Sequence, residues 1–262
     1  MFEAAFGFHH TPFGKDLLPE QLYSSTAFRE LKGRLRYAIE RTQLMAVTGE
    51  VGAGKSTTLR AVTAQMPSAL YRFIYIPKPA TNARDLYREM LYSLRIDPPW
   101  LATDARQRLR EALESMKRDG QTPVLLHDEA QALSNTMLDE LRMLTSFDMD
   151  ARPVFAMVLC GQPELGRVLA SQRQEALAQR ITVHYHLVGM EREETRAYVE
   201  HHLKLAGVDR PLFDDDAFQH LFEYSHGLPR KVNAKVLKAL DLAWRQGLTR
   251  IDLKTMEMAT AF

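Results

Sequence analysis

The stretch Gly49-Glu50-Val51-Gly52-Ala53-Gly54-Lys55-Ser56 decides the fold of this chain, and it fits the pattern G-x-x-x-x-G-K-[S/T] without a mismatch. Glycines let the backbone curl so that successive N–H groups point at an anion, and the helix that follows presents its positive dipole end. Lys55 adds a charge for the β- and γ-phosphates, and the Ser56 hydroxyl can hold Mg²⁺. The predicted nucleotide-binding residues are Gly49, Glu50, Val51, Gly52, Ala53, Gly54, Lys55, Ser56 and Thr57.

The sequence around this loop alternates between short apolar runs and helical periodicity. Leu44–Thr48, an apolar run, precedes the loop, and a helical segment, Thr57–Gln65, follows it. Further apolar runs predict strands at Tyr71–Ile76, Val124–His127, Val154–Cys160 and Thr182–Leu187. Nearly continuous apolar strands that alternate with helices are typical of a parallel sheet covered on both faces. The predicted fold class is therefore α/β.

Beyond about Gly189 the pattern becomes helical only. We therefore predict three parts: an N-terminal segment and helix packed on the core at 1–43, an α/β core at 44–189 and a small helical lid at 190–262. The aromatic-rich opening is predicted to be extended rather than helical, and to be pinned onto a core by its phenylalanines.

Composition narrows the class of protein without deciding its partners. The 262 residues are 45% hydrophobic and 26% charged, an ordinary globular mixture, and the net charge of +1 decides neither for nor against nucleic acid. The single cysteine, Cys160, excludes a disulfide within the chain. Neither a signal peptide nor an apolar run of about 18 residues is visible, so we expect a soluble, cytoplasmic protein without a membrane partner.

A second motif follows the strand at Val124–His127, which ends in Asp128 and Glu129. An apolar strand that ends in two acids has the form of a Walker B motif, in which Asp128 holds Mg²⁺ through a water molecule and Glu129 polarises the attacking water. The alternative is an ordinary pair of helix-capping acids. His127 stands where an apolar residue is commoner, and it is interpreted as a buried histidine of the core.

Polar residues at later positions could contact the phosphates. Gln162 follows the Val154–Cys160 strand and is the candidate γ-phosphate sensor, with a polar turn residue before a helix that starts at Pro163 as the alternative. Arg173 and Arg180 precede the last strand, and Arg230 begins a lid helix after a tight turn. The planar, permanently charged guanidinium suits phosphate, although a solvated surface arginine is the alternative for each of them.

These motifs, taken in order, resemble those of the AAA+ ATPases over essentially the whole chain. The matching stretches are GEVGAGKS, the strand-final HDE, GQPEL, the QR before the last strand and the GLPR of the lid. Within that superfamily, FGF, TPF and DEAQALS resemble the ExeA-like group, which is similar to the transposition helper ATPases TnsC, TniB, MuB and IstB. The resemblance implies a five-stranded parallel P-loop core with a C-terminal helical lid, the cofactors ATP and Mg²⁺, and a ring or helical filament.

The resemblance also implies roles for three arginines. Arg230 would be the sensor-two residue of the same chain, and Arg180 would be the arginine finger that reaches the γ-phosphate of a neighbouring subunit, with Arg173 in reserve. An arginine finger contributes about 10³- to 10⁵-fold in rate, so a lone subunit is expected to hydrolyse ATP poorly. The sequence departs from the family at His127 and at Gln131, where a histidine is common.

The resemblance to transposition helpers implies assembly on double-stranded DNA without sequence specificity, with a transposase and a target-selection protein as partners. The loop after the second strand and the segment near the next helix are the candidate DNA-facing surface, because backbone contacts need only basic and small polar side chains. The alternative is that these are solvated loop residues. The predicted DNA-contacting residues are Lys78, Thr81, Asn82, Arg84, Thr103 and Arg106.

A second functional hypothesis is a secretion-assembly ATPase of the ExeA type, without a role on DNA. Such proteins also carry a membrane span and a cell-wall-binding domain, and a chain that ends at Phe262 with neither is expected to differ from them. The base of the nucleotide is expected near Leu22 and Tyr23 or near the lid, although no spacing fixes it.

Overall fold

The computed structural model describes residues 2–14, 16–147 and 153–261. The strands are β1 (Leu44–Gly49), β2 (Tyr71–Ile76), β3 (Thr122–His127), β4 (Ala156–Gly161) and β5 (Ile181–Leu187). The first helices are α1 (Phe2–Phe6), α2 (Thr26–Glu40), α3 (Lys55–Gln65), α4 (Ala83–Ser93), α5 (Ala102–Arg118) and α6 (Asn135–Leu144). They are followed by α7 (Pro163–Leu169), α8 (Glu175–Ala178), α9 (Arg192–Leu205), α10 (Asp215–Ser225), α11 (Pro229–Arg245) and α12 (Leu253–Thr260).

The five strands form one sheet in the order β2-β3-β4-β1-β5, and every pair in it is parallel. This confirms the predicted α/β class with a five-stranded parallel sheet, in which β4 lies between the P-loop strand β1 and the Walker B strand β3. Because parallel strands end at the same edge of a sheet, the residues that follow β1, β3 and β4 converge there. That edge is where the sequence motifs lie.

Burial along the strands follows their position in the sheet. All residues of the central strand β4 are buried, and β3 is buried over all but its first residue. The edge strand β5 alternates between exposed and partly buried residues between its buried ends. An edge strand packs against one neighbour only, which explains why its apolar run is weaker in the sequence.

The chain divides into two compact units. One comprises residues 30–50 and 55–187 and contains the sheet, with a core to which the strands and the buried faces of α4, α5 and α6 contribute. The other comprises residues 1–29, 51–54 and 188–262 and has its own core, to which helices α9 to α12 contribute. This division into units by their internal contacts does not test the domain boundaries. The domain ranges 1–43, 44–189 and 190–262 therefore stay a prediction.

The opening segment corrects one expectation, because residues 2–6 are helical rather than extended. The helix α1 ends at Phe6, and the φ of 86° at Gly7 lets the N–H groups of Gly7 and Phe8 both donate to the carbonyl of Glu3, at 2.9 and 2.8 Å. Phe6 and Phe8 are buried in the core of their unit, together with Phe13. Burial of the aromatic rings therefore stabilises a helix too short to form alone.

Two further short helices, α7 and α8, lie between β4 and β5. The first begins at Pro163, as the alternative interpretation of Gln162 expects, whereas the sequence did not indicate α8. The helix after the P-loop, α3 (Lys55–Gln65), begins shortly before the predicted segment Thr57–Gln65 and ends with it. In the described ranges, no helix combines the length and the apolar character that crossing a membrane requires.

Candidate nucleotide-binding site

The loop between β1 and α3 depends on glycines at several points. Gly52 and Gly54 have φ values of 83° and 106°, in the left-handed region that a side chain disfavours. At Gly49 the reason is space rather than φ, because an added Cβ would lie 2.6 Å from the backbone oxygen of Leu187. Glycine is thus required at Gly52 and Gly54 by the backbone conformation of the loop, and at Gly49 by the close approach of β5.

Lys55 lies at the start of α3 with only 8% of its surface exposed. Its ammonium group donates to the carbonyl oxygens of Gly49 and Glu50, at 2.7 and 3.0 Å. A positive charge is therefore held over the loop, at the helix end that already favours anions. This is the arrangement that the motif predicts for binding phosphate.

Ser56 and Asp128 come together from the two ends of the site. The Ser56 hydroxyl donates to Oδ2 of Asp128 at 2.7 Å, and Tyr75 donates to the same oxygen at 3.3 Å. Asp128 is 5% exposed, so its carboxylate is almost enclosed by these donors. A hydroxyl and a carboxylate oxygen side by side are the hard oxygen ligands that Mg²⁺ takes, and they fit the predicted metal residues.

Glu129 adopts an unusual backbone conformation, with φ 52° and ψ 33°. Its N–H donates to Oδ1 of Asp128 at 3.0 Å, while its side chain is exposed and accepts a hydrogen bond from Nε2 of Gln131 at 2.7 Å. A non-glycine residue in the left-handed region costs on the order of 1–3 kcal/mol and is often found at functional sites. At this left-handed residue the chain leaves the buried strand β3, and the Glu129 side chain is exposed.

Gln162 follows β4 and precedes α7. Its backbone N–H donates to Oε1 of Gln131 at 3.0 Å, and its side chain is partly buried and makes no capping bond to α7. The structure therefore brings the tips of β3 and β4 together through Gln131. The sequence identified Gln131 only as a departure from the family, because nothing in the pattern indicates which way an amide points.

Two buried residues adjoin Asp128. His127 is completely buried, and its Nδ1 donates to the backbone oxygen of Asp128 at 2.9 Å, while Nε2 has no hydrogen-bond partner among the residues that the structure describes. Burial lowers the pKa of His127, although the Asp128 contacts oppose this. Burial also raises the pKa of the Cys160 thiol, with the Asp128 charge as the second cause. Both side chains are therefore neutral at physiological pH, as core residues.

A model of the AAA domain family matches residues 38–169, about half of the chain. The chain belongs to the AAA+ family of ATPases. A curated relative, General secretion pathway protein A of Aeromonas hydrophila, is 34% identical to this ATPase over 254 residues. That match covers 96% of the ATPase and 46% of the relative, so the chain spans about half the length of the curated relative it matches.

Solved structures agree on the fold of this ATPase. The Cdc6p structure from Pyrobaculum aerophilum has a TM-score of 0.64 at 16% identity, and the match covers 95% of this chain and 68% of that one. The structure of Drosophila ORC bound to DNA has a TM-score of 0.66 at 17% identity, covering 94% of this chain and 62% of that one. At such low identities the likeness shows the fold alone.

The three candidate arginines of the ATPase have different surroundings. Arg180 is half-buried and donates to the Thr145 hydroxyl at 2.9 Å, whereas Arg173 is exposed on a short 3-10 helix. Arg230 has an exposed side chain in the first turn of α11, and its N–H donates to the carbonyl oxygen of Gly52 at 3.2 Å. The packing there is tight, because a Cβ on Gly52 would lie 2.3 Å from the Cβ of Arg230.

Most of the predicted DNA-contacting residues already have partners within the ATPase. Asn82 caps α4 by accepting from the N–H of Asp85 at 3.0 Å, and Thr81 donates to the Asp85 carboxylate at 3.5 Å. Arg84 lies over the ring of Trp100, with its guanidinium carbon 3.9 Å from the ring centroid. These side chains have structural roles, so any DNA contact would be an additional one.

The remaining members of that set are dispersed. Lys78 is exposed in the loop after β2, and Thr103 donates to the neighbouring Asp104 carboxylate at 3.2 Å. Arg106 is partly buried and lowers the pKa of Tyr87 by its charge, against the larger upward effect of burial. The sequence reasoning missed Trp100, which is 74% exposed beside Arg84.

The residues suggested as neighbours of the base belong to the unit that contains the lid helices. The Tyr23 ring lies edge-on to Tyr198 at 5.8 Å and near His201 at 5.7 Å. Burial raises the pKa of Tyr23, with the Glu194 charge as the second cause. Leu22 is partly buried, and the assignment of both residues to the base stays a prediction.

Proposed function

We propose that this ATPase hydrolyses ATP at the sheet edge described above. Lys55 and the N–H groups of the loop bind the phosphates, and Ser56 and Asp128 hold Mg²⁺, which supplies charge neutralisation for the phosphate oxygens. The observation that carries the proposal is the 2.7 Å hydrogen bond between Ser56 and Asp128, which joins the two motifs. A hydroxyl and a carboxylate oxygen thus lie side by side where the metal is proposed to bind.

In this proposal Glu129 orients and polarises the attacking water. Its carboxylate is exposed at the tip of β3 and is held by an amide donor rather than by a cation, so it stays free to accept a hydrogen bond from water. Gln162, at the tip of β4, contacts the γ-phosphate in the same proposal. Arg230 acts as the sensor-two residue, and its backbone contact to Gly52 supports that role.

The arginine finger is proposed to be Arg180, supplied to a neighbouring subunit. Arg180 is half-buried against Thr145, so it must leave that hydroxyl to reach a neighbour's phosphate. Arg173 is fully accessible and remains the second candidate. If Arg180 acts on the ATP of a neighbouring subunit, ATPase activity per subunit should rise with protein concentration. Arg180→Ala should then remove this rise while sparing nucleotide binding.

For the assembled state, we propose a homo-oligomer, as a ring or a filament, that forms on double-stranded DNA. The structures of Drosophila ORC bound to DNA and of the Aeropyrum pernix ORC1 protein in complex with DNA support this choice by analogy of fold. Lys78 and Arg84 are the basic residues of the candidate surface. The proposed transposase and target-selection partners rest on the sequence resemblance, and the proposed cytoplasmic location rests on the composition of the sequence.

A second candidate is a role in secretion-machinery assembly without DNA. The observation that favours it is the 34% identity to General secretion pathway protein A, which extends over nearly the whole chain. The two candidates share the ATP site, and they differ in whether DNA or another protein promotes assembly.

Velocity sedimentation distinguishes the two candidates. The protein is run with a non-hydrolysable ATP analogue, with and without a long DNA duplex, at two salt concentrations. Large species that require both ligands support the DNA role. Assembly with the analogue alone, with no salt-dependent affinity for DNA, supports the secretion role.

A pair of variants locates the DNA surface in the same experiment. Replacing Lys78 and Arg84 by alanine removes two candidate phosphate contacts and should lower the slope of log affinity against log salt by about 2, equally for all sequences. The matched control, Lys78→Arg with Arg84→Lys, keeps both charges and should keep the slope. Equal slopes in all three proteins would contradict this surface.

A further inference from the structure

The Gln131 side chain connects the tips of two strands. Its Nε2 donates to Oε2 of Glu129 at 2.7 Å, and its Oε1 accepts from the backbone N–H of Gln162 at 3.0 Å. One amide thus joins the proposed water-activating carboxylate, after β3, to the backbone of the proposed phosphate sensor, after β4. Both of its functional groups are used in this bridge.

The chemistry of the partners fixes the orientation of this amide. The N–H of Gln162 can only donate, so it must face the oxygen end of Gln131. The nitrogen end then faces Glu129, which meets it as an acceptor. A hydrogen bond from an amide to a carboxylate has a preferred direction, so the bridge fixes where Oε2 of Glu129 points.

Gly161 provides the space in which the amide lies. A Cβ added at Gly161 would lie 2.6 Å from Oε1 of Gln131, and 3.1 Å from the backbone nitrogen of Gln131. The φ of Gly161 is not in the left-handed region, so the backbone itself does not require glycine there. The close approach of the Gln131 amide is the steric reason for this glycine.

Glu129 needs such support because its backbone is strained. Its left-handed conformation is held by the hydrogen bond from its own N–H to Asp128, and its side chain is held by Gln131. The side chain is otherwise exposed and could adopt other rotamers. Removal of the Gln131 contact would release the carboxylate while leaving the backbone bond in place.

We propose that Gln131 is a positioning residue that fixes the Glu129 carboxylate for attack by water and couples it to the strand tip that carries Gln162. The inference rests on the proposed role of Glu129 in ATP hydrolysis. Displacement of the β4 tip on contact with the γ-phosphate moves the N–H of Gln162, and the amide transmits that movement to the carboxylate. Turnover then depends on Gln131, whereas nucleotide affinity does not.

Two substitutions at Gln131 test this proposal in the full-length chain. Gln131→Met keeps the size of the side chain and removes both hydrogen bonds. Gln131→Glu keeps an oxygen that can accept from the N–H of Gln162, but it places a second carboxylate against Glu129, which repels it. Both should lower kcat by roughly 10- to 100-fold, because small displacements of a reacting group cost that much. The Kd for a fluorescent ATP analogue should stay within about twofold of wild type, since neither atom of the amide contacts the P-loop residues. Wild-type kcat in Gln131→Met would overturn the proposal.

A substitution at Gly161 displaces the amide without removing it. Gly161→Ala should lower kcat in the wild-type background and should lower it much less in a Gln131→Ala background, where the contact at 2.6 Å is gone and only the contacts at 3.1 Å remain. Gly166→Ala is the matched control, because a Cβ there meets only Thr48 at 3.8 Å, an ordinary contact. Equal losses from Gly161→Ala in both backgrounds would show a general packing defect and contradict the proposal.

Glu129→Gln separates this proposal from the proposed function. If Glu129→Gln abolishes turnover while Gln131→Met leaves it intact, only the positioning role is wrong. If Glu129→Gln retains turnover, the catalytic role of Glu129 itself is wrong, and the positioning role is wrong with it.

Discussion

At the residue scale, the site depends on side chains that satisfy one another. Asp128 receives hydrogen bonds from Ser56, from Tyr75 and from the N–H of Glu129, so a buried carboxylate is fully hydrogen-bonded. Buried polar groups without such partners would cost about 1–3 kcal/mol each. The donors preorganise the carboxylate close to the loop that binds phosphate.

Some of these residues were predictable from the sequence and others were not. Lys55, Ser56 and Asp128 lie in motifs whose spacing is tied to the strand–loop–helix context, and the structure brings them together as the motifs imply. Gln131 and Tyr75 were not identified as contributors, because their contacts depend on the left-handed turn at Glu129 and on the pairing of β2 with β3. Neither feature leaves a local pattern in the sequence.

Lys55→Ala tests the phosphate-binding role at this scale. The substitution removes a charged donor, and hydrogen bonds to charged groups contribute about 1.5–3 kcal/mol, so affinity for an ATP analogue should fall about 10- to 100-fold. Titration with a fluorescent analogue measures this. The control is Lys78→Ala, which removes an exposed lysine outside the loop and should leave affinity unchanged. An unchanged Kd in Lys55→Ala would refute the assignment.

At the element scale, burial explains which parts of the fold were predictable. The strands β3 and β4 are apolar because they are buried on both faces, and the sequence shows them plainly. The helices α1, α7 and α8 have 5, 7 and 4 residues, too short for a helical period to repeat. Their formation depends on tertiary contacts, such as the burial of Phe6, that a local pattern does not contain.

Asn82 provides a prediction at the element scale, because it caps α4 and was also a candidate for DNA contact. Asn82→Ala should lower the free energy of unfolding by about 1 kcal/mol, whereas Asn82→Ser keeps a capping oxygen and should lower it by much less. Urea denaturation midpoints measure both. If the two variants are equally stable, the cap does not contribute as the structure implies.

At the whole-molecule scale, the N-terminal residues are part of the unit that contains the lid helices. Phe13 stacks on His202 with a centroid distance of 4.8 Å, and Tyr198 meets the same imidazole edge-on at 4.5 Å. Burial lowers the pKa of His202 to about 4, and the charge of His201 acts in the same direction. The folded unit therefore holds this imidazole in its neutral form.

This depressed pKa predicts a loss of stability in acid. The unfolded chain takes up a proton on His202 near pH 6.5, whereas the folded chain does so only near pH 4, so stability is lost as pH falls through that window. At pH 5 the loss is about 2 kcal/mol. Urea unfolding at pH 7.5 and 5 should show a smaller loss in His202→Phe than in wild type. The exposed control, His10→Phe, should lose as much as wild type, and an undiminished loss in His202→Phe would contradict this account.

The central claim is that Glu129 drives ATP hydrolysis at a site formed by the P-loop and the Walker B strand. The most direct test measures phosphate release and nucleotide affinity in Glu129→Gln, with Lys55→Ala as the variant expected to lose binding. The account predicts that Glu129→Gln binds an ATP analogue as wild type does and releases phosphate at least about 100-fold more slowly. Phosphate release at the wild-type rate from Glu129→Gln would contradict it.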